Sequence, residues 1–140
     1  MLTCTMIDAA EAETVIAAGV AKATEMGVPQ NIAVVDAAGH LVAFRRMDGA
    51  KFMSIEIAMA KAFTAAGARR ATADILSATL PGQPGFGLQN LHAGRITTLG
   101  GGLPLLRAGA VVGAIGVSSG SVAEDIVVAE AGAHSFHAAE

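Results

Sequence analysis

Four groups of residues in this 140-residue chain have the types and spacing that chemistry uses. The first is Arg45-Arg46-Met47-Asp48-Gly49, which leaves an apolar run. Guanidinium groups beside a carboxylate can clamp a ligand carboxylate bidentately. In the plainer alternative, Asp48 caps the next helix and both arginines are solvated. Arg46 shares a face with Val42 and Phe44, which makes it the stronger candidate of the two. The second feature is Lys61, the only cation in the body of an apolar helix. Ser54, Ile57 and Ala65 lie on its helical face, with Thr64 beside them. Such a lysine either snorkels to water or faces a cavity as a partly buried ammonium. Desolvation would lower its pKa and suit it to act as a base or an anion anchor.

The third feature is Gly100-Gly101-Gly102-Leu103-Pro104, with Pro81-Gly82 and His92 upstream. Consecutive glycines let backbone N–H groups approach a ligand closely, although most glycine turns are only turns. The fourth is the histidines. His134 and His137 have a spacing compatible with one metal, but they lie in a terminal stretch prone to fray, and no metal site is assigned. His40 follows a turn glycine and reads as a surface residue. His92 is the candidate for proton transfer or for axial ligation of a haem iron.

The elements that must position these groups follow from periodicity and caps. A first helix is expected over about Ala9 to Met26, capped by Asp8, with Glu11 three residues on and Gly27 as a stop. Asn31 to Ala37 and His40 to Arg46 read as a hairpin turning through Ala38-Gly39, both strands apolar on both faces. A second helix, about Phe52 to Ala68, is nearly apolar all round, the mark of a helix buried within or between subunits. A short helix is expected from Thr72 to Leu80, then a Pro/Gly loop. Ile96 to Leu99, Leu103 to Arg107 and Val111 to Val117 read as strands. Ser121 and Glu124 form a capping box for a last helix, about Val122 to Ser135. The expectation is one α/β (α+β) domain over residues 1–140, a five-stranded antiparallel sheet flanked by helices.

Composition narrows the function. Charged residues make up 15% of the chain, against roughly 25% in an ordinary globular protein, and the mean hydropathy is +0.55. Too few charges remain to cover a monomer, so a homo-oligomer is expected. No apolar window approaches the ~20 residues of a spanning helix, so no membrane partner is expected. A net charge of −3, no Trp and no Tyr argue against nucleic acid. The single cysteine excludes an internal disulfide. No basic leader precedes Asp8, and a cytoplasmic location is expected.

Taken together, the strings carry a resemblance. Ile32 to Ala50 (IAVVDAAGHLVAFRRMDGA) resembles the opening hairpin of the GlcG/HbpS-like family, also called haem-degrading or DUF336 domains. Ser54 to Ala62 is similar to its second helix, and Gly101 to Pro104 and Val112 to Ser118 to its sheet signatures. The family pattern falls on Asp36, Gly39, Arg46, Asp48, Gly49, Lys61, Gly101, Gly102 and Pro104. The resemblance implies a profilin-like fold, homo-oligomers from dimer to octamer, and haem or another tetrapyrrole as the best-known ligand type. The chain departs from the pattern at Val117-Ser118-Ser119-Gly120, where a Ser-Gly-Gly is more usual, and its first helix holds no histidine.

Three functional readings stay open at this level. One is a small-ligand-binding domain with Arg46, Asp48, Lys61, His92, Gly101, Gly102 and Pro104 around the ligand, haem being the implied cofactor. Another is an enzyme acting on a small carboxylated or oxygenated catabolite. There Arg46 holds the carboxylate, Lys61 or His92 moves the proton, and the Gly101-Gly102 N–H groups steady developing negative charge. A non-catalytic oligomeric scaffold is the third possibility. Both site readings expect Lys61 and Arg46 to line one cavity, with Asp36, Asp48 or an anionic ligand as counter-charge.

Overall fold

The computed structural model describes all 140 residues. Asp8 opens α1 (Ala9–Met26): its carboxylate accepts the Glu11 N–H, while Glu11 accepts the Asp8 N–H, and Gly27 closes the helix at φ 69°. Ser121 and Glu124 form the same reciprocal box at the start of α3, which runs over Val122–Ala138. In the hairpin of β1 (Asn31–Asp36) and β2 (Leu41–Arg46), Asp36 Oδ1 accepts from the Ala38 and His40 N–H groups at 2.9 and 3.0 Å. Gly39 supplies the left-handed residue of the turn, φ 84°. α2 spans Met53–Ala68, β3 Gly102–Arg107 and β4 Ala110–Ser118.

The sheet is antiparallel in the order β2-β1-β4-β3, with four strands rather than the expected five. Ile96 to Leu99 does not join it. That segment is held instead by Thr64 of α2, whose hydroxyl accepts the Thr97 N–H at 3.0 Å. A short apolar run shows β-propensity but not whether a ladder partner is within reach. The Thr72–Leu80 helix resolves into two 3₁₀ turns, Thr72–Asp74 and Leu76–Thr79. β1 is buried on both faces as expected, but β2 is an edge strand and half exposed.

Three layers result. α1 and α3 cover one sheet face, around Ile32, Val34, Leu105, Ile115 and Val117. α2 covers the other alone, over Ala33, Val35 and Ala114. The buried side of α2 consists of small residues and one lysine: Ser54, Ala58, Lys61, Ala62 and Ala65. Gly116 explains this, because a Cβ there would lie 2.1 Å from the Ala58 carbonyl oxygen. Helix and sheet meet backbone to backbone, so the large apolar residues of this segment are displaced outward. Phe52 is 78% exposed and Met53 67%. No helix is long and apolar enough to cross a membrane.

Candidate functional site

The residues singled out by sequence divide into two places, and none of the four principal cavities is lined by Lys61 or Arg46. Lys61 is 1% exposed. Its ammonium donates to Asp125 Oδ2 at 2.7 Å and to the Val117 carbonyl at 2.8 Å. Asp125 sits in the first turn of α3 and also accepts the Gly120 N–H through Oδ1 at 3.0 Å. The counter-charge is therefore internal, and it is neither Asp36, Asp48 nor a ligand. Burial pushes the Lys61 ammonium down and the Asp125 carboxyl up, and each partner holds the other back toward its charged form.

The glycine triplet belongs to the same packing. A Cβ on Gly101, which has φ 119°, would lie 2.8 Å from the Val117 oxygen and 3.1 Å from Lys61 Nζ. On Gly102 it would lie 2.4 Å from the Lys61 carbonyl oxygen, and the Gly102 N–H is already taken by Thr72 Oγ1 at 3.0 Å. Gly101 thus leaves room for the Lys61 ammonium beside Asp125, while Gly102 lets the start of β3 lie against the α2 backbone. Pro104 stands within β3, an edge strand, where a missing donor is tolerated.

Arg46 pairs with Asn31 across the hairpin and is exposed at the rim of β2. Asp48 is exposed too, and α2 begins without a side-chain cap. The turn they occupy is fixed by backbone: Met47 N–H donates to the Gln30 carbonyl, Asn31 Nδ2 to the Lys51 carbonyl, and Lys51 N–H to Ser119 Oγ. Arg46, Asp48 and Lys61 therefore lie toward one end of the sheet, and none of the three lines any of the four principal cavities.

His92 lies elsewhere. It borders a cavity of about 690 Å³ between α2, the β1–β2 turn and the 75–96 segment, within the range of small-molecule sites. Phe63 of α2 is its centre. The His92 ring meets Phe63 edge-on with centroids 5.5 Å apart, and the Arg95 guanidinium lies 4.1 Å above the Phe63 ring. Gly39 is forced by the same aromatic, since a Cβ there would lie 2.8 Å from the ring. Arg70, Ile75 and Leu88 continue the wall. No carboxylate lines this cavity, and neither Arg70 nor Arg95 is in an ion pair.

The backbone here is strained in one place. His92 and Ala93 both take left-handed conformations, φ 52° and 55°, at a cost of roughly 1–3 kcal/mol each. The segment is tied down by Arg95 Nε donating to the His92 carbonyl at 3.3 Å and by Thr64 donating to the Arg95 carbonyl at 3.4 Å. Phe63, Arg70, Arg95 and Asp125 were not candidates in the sequence. Only Asp125 left a trace there, as the residue after the capping-box glutamate.

A profile of the haem-degrading, HbpS-like proteins matches residues 7–134. The chain belongs to that family. Among its relatives, an uncharacterized 15.0 kDa protein of the dhaT-dhaS intergenic region of Citrobacter freundii is 44% identical over 110 residues, 79% of this chain and 78% of that protein. The crystal structure of Klebsiella pneumoniae ORFY superposes with a TM-score of 0.97 at 38% identity, covering 100% of this chain and 97% of that one. The crystal structure of a PduOC–haem complex gives a TM-score of 0.89 at 31% identity, covering 94% of this chain and 95% of that one. Similarity at this level extends the HbpS-like assignment from sequence to the whole fold.

Proposed function

We propose that this HbpS-like chain binds a flat, anionic small molecule in the Phe63 cavity, a haem or another tetrapyrrole, rather than at the Lys61 end of the sheet. The observation behind this is the charge balance of the cavity: two guanidinium groups and an imidazole with no carboxylate. An uncompensated cationic lining favours an anion, and arginine forks match carboxylates. The remaining lining suits a ring, since Phe63, Ile75, Leu88 and Ile96 supply apolar surface. His92 would ligate the iron, and Arg70 and Arg95 would meet the ring's carboxylates. A bound haem would supply iron-centred ligand and redox chemistry. The family's haem-degrading description and the haem complex of PduOC support the same ligand class.

The catalytic alternative draws nothing from Lys61, whose ammonium is already bonded inside the protein. The test is titration of hemin into the purified protein, followed by the Soret band. His92→Ala is expected to abolish the Soret shift, and so is His92→Asn, which tolerates the left-handed backbone better. Replacing both Arg70 and Arg95 with Gln should weaken binding at least tenfold. A Soret shift unchanged in both His92 variants sinks the assignment.

A further inference from the structure

A second cavity, about 500 Å³, lies beside the first and shares Gly39, Phe63 and Arg95 with it. Its apolar floor is Val35, Leu41 and Met59, and Ala93 and Gly94 close one end. Unlike the first cavity it holds both signs of charge. Glu56, on the exposed side of α2, faces into it together with Arg95. Neither residue makes an ion pair, with each other or with any other side chain. The remaining ionisable group on the lining, His40, leans toward Asp36 at 3.7 Å. Two opposite charges border one cavity without an ion pair between them, and a ligand of matching dipole can bridge them.

We propose that this second cavity is a binding site for a small zwitterion with an apolar tail, an α-amino acid of leucine or methionine type. Its carboxylate pairs with Arg95, its ammonium with Glu56, and its side chain covers Leu41 and Met59. Opposite charges at the two ends fix the ligand's direction, and a neutral or singly charged analogue leaves one protein charge unmet. Both charged residues are exposed, so the pairs are screened and binding is modest. The proposal does not require a haem in the first cavity; because Arg95 borders both, a haem there would compete with the amino acid for the same guanidinium.

Haem-free protein titrated with L-leucine, followed by ¹H–¹⁵N chemical shifts, tests it. L-leucine is expected to shift the amides of Gly39, Glu56, Ala93 and Gly94. N-acetyl-leucine, which lacks the ammonium, and leucinamide, which lacks the carboxylate, are expected to bind about tenfold more weakly, one charge-assisted contact being worth about that factor. Glu56→Gln should abolish the preference for leucine over N-acetyl-leucine, and Arg95→Gln the preference over leucinamide. Both positions are on the surface, and circular dichroism confirms that the variants fold. The proposal is overturned if leucine shifts none of these amides, if the blocked analogues bind equally well, or if Glu56→Gln leaves the preference intact.

Discussion

Removing the Lys61 charge is the sharpest perturbation this fold allows. Read as a cavity residue, Lys61→Met would be nearly neutral for stability, because the apolar stem is kept. The observed geometry gives the opposite expectation. Lys61→Met strands the Asp125 carboxylate, which is 2% exposed, and Asp125→Asn strands the ammonium. Breaking a buried pair from one side costs about 3–5 kcal/mol. At about 2.1 cal/mol/K per residue, a 140-residue chain unfolds with an entropy near 0.3 kcal/mol/K, so either single variant should melt about 10–17 °C lower. The double variant should recover much of that, because no buried charge is then left alone. Urea unfolding of the four proteins gives the coupling. The pH dependence has opposite signs in the two singles. In Lys61→Met the buried Asp125 has a folded pKa above its unfolded one. The native state then holds the extra proton, and stability falls as pH rises through that window. In Asp125→Asn the Lys61 pKa lies below its unfolded value. The unfolded state then holds the extra proton, and stability rises with pH through that window. Additive single effects, or pH slopes of the same sign, would refute the buried pair as a structural unit.

Gly116→Ala forces a Cβ to within 2.1 Å of the Ala58 carbonyl oxygen and 2.5 Å of the Ala62 nitrogen. It should destabilise by more than about 3 kcal/mol by overpacking, read as a loss of the cooperative melt at 37 °C. The exposed Phe52, Met53, Phe86 and Leu91, with the low charge fraction, predict a homo-oligomer. Light scattering at micromolar concentration should find no monomer, and Phe52→Asp with Met53→Asp should shift the mass downward if the start of α2 lies in the interface.

The sequence by itself determined a good deal. Both capping boxes, the Asp36–Gly39 turn, α1, the body of α2 and the family could be read from residues fewer than about ten apart. Such features depend on local hydrogen bonds and periodicity, which a linear string contains. Family membership was legible for the same reason, since its motifs are contiguous. The string also contained Lys61 as an anomaly, an ammonium in an apolar helix, for which the expected counter-charge was Asp36, Asp48 or an anionic ligand. Which charge would answer was decided only by tertiary structure. Lys61 and Asp125 are 64 positions apart, and they meet where Gly101 leaves room for the ammonium and Gly102 lets α2 lie close against β3. The Phe63 cavity was hidden for a similar reason. Phe63, Arg70, His92 and Arg95 lie on a helix, its exit and an irregular loop, and no periodicity relates them. The missing fifth strand shows the same limit: Ile96 to Leu99 has the composition of a strand, but Thr64 of α2 holds its backbone and no ladder partner pairs with it. Burial, pairing and charge compensation are properties of neighbours in space, here of α2 against the sheet, α3 and the 75–96 segment, and no short window of the sequence contains them.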